Sequence, residues 1–164
     1  SVNYNDWSLR FLCDYIVETH HTFVKKNIPE LLFYSQKVAN RHGENNPELL
    51  EINKLVKVLA EELLSHLEKE EEDAFPQIKQ LDQSNGKDKL GRDAFYLLID
   101  EHESAGAIME KIEKLTDNFT PPENACASYQ VLYKSLDGFH QDLHKHVHLE
   151  NNILFLKALK LNEN

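Results

Sequence analysis

The feature that most limits how this chain can fold is an apolar stripe, stepping by three and four residues, that is interrupted by histidine in each of four long segments. In the second segment it reads Val56, Leu59, Leu63, His66, Glu70, Ala74, and in the fourth Leu132, Leu136, Phe139, Leu143, His146, Glu150, Ile153. The third carries Phe95, Leu98, His102, Ala105, Met109, Ile112, and the first Val17, His21, Val24, Ile28, Leu31. That period belongs to helices that bury one face. No strand alternation and no short-period repeat competes with it.

The spacing predicts helices from about Asp6 to Arg41, from Asn46-Pro47 to about Leu81, from about Lys89 to Asp117, and from Thr120-Pro121-Pro122-Glu123 to about Leu159. Gly43 reads as the cap that ends the first. Asn46-Pro47 reads as an N-cap followed by proline, and Thr120 to Glu123 has capping-box spacing. Pro29 and Pro76 fall inside helical patterns and are expected to kink or end them locally. Short links join the segments, so the expected fold is all-α, an antiparallel up-down four-helix bundle forming one domain over residues 1–164. Asn162-Glu163-Asn164 is expected to be a frayed end.

A net charge of -10 argues against nucleic acid and anionic membranes as partners, since both select a basic face. No apolar run reaches the roughly 18 residues of a membrane span. Two cysteines make no disulfide framework, so a reducing, cytoplasmic setting is expected.

Each segment therefore points a histidine inward, and two add a glutamate one turn on. A buried carboxylate without a partner costs several kcal/mol, of order that of a lost charge pair. Metal cations remove that cost, and imidazole with carboxylate suits iron, manganese or zinc. Two carboxylates crossing between two ions would bridge them. Chain lengths allow the convergence. His21 and the His66/Glu70 pair are centred near residue 44 or 45, inside the first link, and that pair and His102 near residue 85, inside the second. At about 1.5 Å per residue these three helices bring their polar residues to one height. His102 and the His146/Glu150 pair are centred near residue 125, just past the Pro121 link, so an extended linker is needed there.

Other polar residues read more plainly. His42 adjoins the first link, about 30 Å from His66 along the bundle, and is a helix-end histidine. His140, His144 and His148 lie opposite His146 as a solvated face. Glu68 to Asp73 is a solvated acidic run apart from Glu70. His20 competes with His21 for the inward place. Glu62 and Glu101 are candidates to hydrogen-bond inward imidazoles. Cys13 and Cys126 read as buried apolar positions.

The order His, His-x-x-x-Glu, His, His-x-x-x-Glu resembles the hemerythrin-like domain, and more closely the iron–sulfur cluster repair di-iron proteins, the repair-of-iron-centres family. The residues that carry it are His21 to Pro29-Glu30-Leu31, Glu61 through His66 to Glu70-Glu71 and Phe75-Pro76, and Asp100-Glu101-His102-Glu103. Thr120-Pro121-Pro122-Glu123 with Ala125-Cys126, and His146 through Leu149-Glu150-Asn151-Asn152-Ile153-Leu154-Phe155, complete it. The resemblance covers about Asp6 to Leu159. It implies terminal ligands at His21, His66, His102 and His146, bridging carboxylates at Glu70 and Glu150, and two non-haem iron ions joined by an oxo or hydroxo bridge. It also favours His21 over His20.

Hemerythrins proper carry a second histidine one turn along the third helix. Gly106 stands there, which implies a more open ion. Longer family members carry a small cysteine-containing N-terminal module, which is expected to be absent here. The implied function is repair or protection of iron–sulfur clusters under nitrosative or oxidative stress, by iron donation or nitric oxide reduction. The alternative is oxygen, nitric oxide or iron binding or sensing without turnover. Implied partners are iron–sulfur proteins and the small molecules NO or O2, with the chain a monomer or dimer.

Overall fold

A computed structural model describes residues 1–163 of the chain. Among them are helices and no strands, arranged as four rods. The first rod joins α1 (Leu9–Tyr15) through a wide π turn (Ile16–His21) to α2 (Thr22–His42). The second joins α3 (Glu48–Lys69) through a π turn (Glu70–Ala74) to α4 (Phe75–Gln83). The third is α5 (Arg92–Leu115), and the fourth joins α6 (Ala127–Leu149) through a π turn (Glu150–Leu154) to α7 (Phe155–Glu163). Neighbours in sequence are neighbours around the ring, and the fourth rod closes it against the first. This is the expected four-helix bundle.

Local chemistry sets the ends. Ser8 caps α1, its Oγ accepting from Phe11 N–H at 3.1 Å. Gly43 ends α2 as expected, but its φ is -62°, so no left-handed cap is involved. Glycine is needed for room, because a Cβ there would lie 2.4 Å from the Ala39 carbonyl oxygen and 2.7 Å from Leu50 Cδ2. The fourth helix starts later than expected, at Ala127 rather than near Thr120. Pro122 disfavours helical geometry at Pro121, and Asp117, Asn118 and Phe119 all take positive φ. The resulting non-helical linker supplies the length that the register required.

Neither internal proline breaks its rod. Pro29 sits inside α2. Pro76 follows the π turn, whose wider ring accommodates a residue without N–H. The end expected to fray is helical through Glu163, and the Asn162 side chain accepts from Leu90 N–H at 2.7 Å. Asn164 lies outside the described residues.

The buried apolar side chains form two clusters. One contains Val24, Ile28, Leu59, Leu63, Met109, Leu136 and Phe139, and the other contains Leu12, Ile16, Phe75, Ile78, Phe95, Leu154 and Phe155. The inward histidines and glutamates lie in sequence where one cluster gives way to the other. Among the described residues, no helix is long and apolar enough to cross a membrane.

Candidate metal centre

All six inward residues converge. His21, His66, Glu70, His102, His146 and Glu150 are each no more than 4% exposed. They form two overlapping quartets, His21–Glu70–His146–Glu150 and His66–Glu70–His102–Glu150. In each quartet one atom per residue lies within 4.8 Å of the others. Both glutamates belong to both quartets, and each touches one imidazole of either. Glu70 Oε1 is 3.1 Å from His21 Nε2 and 3.4 Å from His66 Nε2. Glu150 contacts His146 Nε2 directly and lies 3.6 Å from His102 Nε2.

The donor atoms fit a cation. Among the described residues, the buried side-chain nitrogens and oxygens without a hydrogen-bond partner are His66 Nε2, Glu70 Oε2, His102 Nε2, both His146 ring nitrogens, both Glu150 oxygens and Tyr129 Oη. All but the last belong to this cluster. Such groups normally find partners, and imidazole nitrogens with carboxylate oxygens are the donors that iron, manganese and zinc accept.

The π turns sit at the cluster. The Glu70 carbonyl accepts from Phe75 N–H and the Glu150 carbonyl from Phe155 N–H, each five residues on. Each phenylalanine covers the back of an imidazole. Phe75 stacks on His21 at 5.6 Å and 13°, and Phe155 on His102 at 6.1 Å and 6°. The first rod's π turn ends on His21 itself. Such turns recur at functional sites.

Outer partners hold three of the four rings by Nδ1. Glu71 lies 3.0 Å from His21, Glu101 2.9 Å from His66 and Asn151 2.7 Å from His102. An acceptor at Nδ1 fixes the tautomer that leaves Nε2 free as a ligand. Glu101 was foreseen in this role. Glu62 instead accepts from Ser104 at 3.2 Å. Glu71 does not join the solvated acidic face, and its role and that of Asn151 were missed. The signal was present: each directly follows an inward glutamate in a repeated His-x3-Glu-y-x3-Phe pattern, where y is Glu71 or Asn151.

His20 is also buried, but it lies outside both quartets. Its ring stacks on His146 at 5.3 Å and its Nδ1 is 3.2 Å from Asp142. His144 and His148 are exposed, and His140 pairs with Glu113 at 3.1 Å. Cys13 is buried, whereas Cys126 is only half-buried, with His42 Nε2 3.3 Å from its sulfur. Cys126 packs against the apolar core as expected, but full burial is corrected, because the sulfur sits where the α2 and α6 ends meet.

Electrostatics differ from ring to ring. Burial opposes ionisation of Glu70, yet the His21 contact and the nearby His66 prevail and lower its pKa to about 2. Burial disfavours charge on His66, but Glu70 and Glu101 outweigh it and raise its pKa. Burial, with the His66 charge added, lowers that of His102. Burial drives His146 well below its usual value.

Comparison with known proteins agrees with this geometry. The family description Hemerythrin HHE cation binding domain matches residues 13–158. The chain belongs to this hemerythrin family. It is 35% identical over 157 residues to the iron–sulfur cluster repair protein YtfE of Enterobacter sp. (strain 638), covering 94% of this chain and 69% of that protein. It is 34% identical over 158 residues to YtfE of Yersinia pseudotuberculosis, covering 94% and 69%. It is 31% identical over 158 residues to the iron–sulfur cluster repair protein ScdA of Staphylococcus epidermidis, covering 96% and 70%. A hemerythrin domain with a buried histidine and glutamate cluster indicates a non-haem iron site.

Proposed function

We propose that this protein holds two non-haem iron ions and serves in the repair or protection of iron–sulfur clusters damaged by nitric oxide or oxidants. His21 and His146 would hold one ion, His66 and His102 the other, and Glu70 and Glu150 would bridge them, with an oxo or hydroxo group between. The observation that carries this reading is the sharing of both glutamates by two quartets whose donor atoms mostly lack any other partner. The cluster-repair role for which the similar YtfE and ScdA proteins are named supports the choice of repair. Iron bound there would supply exchangeable ferrous ions for a damaged cluster and positions at which nitric oxide or dioxygen binds.

The remaining roles belong to the chain. The two carboxylates, both fully buried, offset cationic charge in a site flanked by the two apolar clusters. Glu71, Glu101 and Asn151 aim the imidazoles, and Phe75 and Phe155 shield them. On the third rod, Gly106 lines a cavity of about 100 Å³ with His102, Met109, Leu143 and Val147. A Cβ added at Gly106 meets nothing within 4 Å. That gap suits entry of a diatomic molecule beside His102. Free thiols at Cys13 and Cys126 suit a reducing cytoplasm. Iron–sulfur proteins are the recipients in this reading.

The test is anaerobic. Ferrous-loaded protein is mixed with an iron–sulfur enzyme whose cluster nitric oxide has damaged, and return of enzyme activity is followed together with iron transfer. A parallel mixture with nitric oxide alone is assayed for nitrous oxide over several turnovers. Restored activity is expected. Absence of both products would overturn repair and leave binding or sensing.

A further inference from the structure

The bundle is built as two similar halves. His66, Glu70, Glu71 and Phe75 on the second rod recur at the same offsets as His146, Glu150, Asn151 and Phe155 on the fourth. The first and third rods supply the facing rings. His21 is held by Glu71 and covered by Phe75, just as His102 is held by Asn151 and covered by Phe155. One more relation completes the pattern in one half only. The residue before His102 is Glu101, and it accepts at Nδ1 of His66 at 2.9 Å. The residue before His21 is His20, and the matching ring is His146.

There the halves differ. His20 makes no hydrogen bond to His146. Its ring lies parallel to His146, 6° between planes and 5.3 Å between centroids, and its own Nδ1 faces Asp142 at 3.2 Å to both oxygens. His146 Nδ1 is left without a partner in a residue only 1% exposed. Of the four inward rings, His146 alone lacks an acceptor at that nitrogen.

We propose that the two metal positions are unequal by construction, that the one between His21 and His146 is the exchangeable one, and that His20 is the positioning residue responsible. The inference rests on the two-ion reading above. An acceptor at Nδ1 holds a ligand ring in orientation and strengthens its donation to the ion. His20 offers His146 a stacking face instead, which leaves the ring without that support. Loss of such an outer partner typically costs about 10- to 100-fold in metal affinity. A repair protein that gives up one ion while its bundle stays filled by the other would need this asymmetry.

The test reads metal release, not activity. Protein loaded anaerobically with ferrous iron to two per chain is mixed with excess ferrous chelator, and the coloured complex is followed in time. Two phases of equal amplitude are expected, separated by about 10- to 100-fold in rate. His20→Glu places a carboxylate where the other half has Glu101, and is expected to slow the fast phase towards the slow one without moving the slow one. His20→Ala removes the stack but supplies no acceptor, so it is expected not to slow release. Should His20→Glu fail to load, Glu101→Ala decides, because it removes the acceptor from His66 and is expected to bring the slow phase up to the fast. A single phase releasing two ions from the wild type overturns the proposal while leaving the two-ion reading intact. So do unchanged rates in His20→Glu or Glu101→Ala. Loading that saturates at one ion or none overturns the two-ion reading itself.

Discussion

Replacing either shared glutamate with leucine separates two effects that a metal site normally entangles. Glu150 has both carboxylate oxygens buried and without a hydrogen-bond partner. A buried unsatisfied polar atom costs about 1–3 kcal/mol. His102 Nε2 and His146 Nε2 have no aligned hydrogen bond to lose: His102 lies 3.6 Å away, and the direct Glu150–His146 contact meets a ring that burial keeps neutral, so no charge pair is broken. Glu150→Leu is therefore expected to stabilise the metal-free protein by about 2–3 kcal/mol, the low end for relieving two such atoms. Glu70 differs. Its Oε1 is paired with His21 at 3.1 Å, and its pKa is held down near 2, so the ionised group is favoured where it sits. Removing one partner of a buried pair costs about 3–5 kcal/mol. Glu70→Leu is expected to destabilise.

The assay is thermal unfolding in chelator and again with ferrous iron under nitrogen. For a chain of this size each kcal/mol moves the midpoint by about 2–4 °C. In chelator the midpoint of Glu150→Leu should rise by roughly 4–12 °C, and that of Glu70→Leu should fall by a similar or larger amount. Wild-type protein gains about 2.7 kcal/mol when free iron is 100 times its dissociation constant, and neither variant should show that rise. If Glu150→Leu melts as low as Glu70→Leu in chelator, the argument from orphaned oxygens is wrong. If either variant still binds two irons, the ligand assignment is wrong.

Acidification, thiol chemistry and two glycines give further checks. Burial lowers the pKa values of His102 and His146, so their neutral forms favour the native state above about pH 6.5 and that contribution is lost as pH falls from there. Glu70 follows, its contribution lost only as pH falls from 4.5 towards 2. His66 has a raised pKa and acts oppositely, losing its contribution as pH rises through the raised value, but it is one group against two. The metal-free midpoint should therefore drop between pH 7 and pH 5, and a rise over that window would refute these signs. An aromatic disulfide reagent should modify one thiol in the native protein, Cys126, and two in denaturant, because burial pushes Cys13 up to about 12 and removes it from solvent. Gly43→Ala should lower the melting midpoint, at a cost of about 1–3 kcal/mol for the 2.4 Å approach to Ala39. Gly138→Ala, exposed within α6 with nothing within 4 Å, should raise it by about 0.5–1 kcal/mol in stability.

The number of rods, their order and the inward six were legible because burial imposes a period on the sequence. A histidine on an otherwise apolar stripe is conspicuous, and equal spacing from the links tests whether four of them meet. Boundaries were less legible where side-chain pattern and backbone chemistry disagree. Thr120 to Glu123 spells a helix start, but consecutive prolines and a turn closed by Ala125 N–H on the Pro122 carbonyl delay the helix to Ala127. Asn162 looks like a loose end, and only the fold shows that its amide bonds Leu90 at both backbone groups.

The outer partners were harder to read for a geometric reason. Glu71 and Asn151 each follow an inward residue, about 100° around a regular helix, which points them towards solvent. Only a neighbouring rod brings a ring to meet them, so one helix alone cannot show the contact. The same holds for the π turns. Nothing in Glu70–Ala74 and Glu150–Leu154 is shared in composition except the leading glutamate, and Pro76 has no counterpart at Leu156. What the two turns share is the site: a glutamate at the start, a phenylalanine directly after, and a ring beneath it. A wide turn is poorer than an α turn in hydrogen-bond geometry and persists where the surroundings over-determine it. Here the surroundings are the imidazole that each phenylalanine covers and the carboxylate that each glutamate aims inward. It follows that local backbone form is set by the cluster as a whole, and that single-rod sequence patterns find the six inward residues while missing supports such as Glu71 and Asn151 that orient their rings.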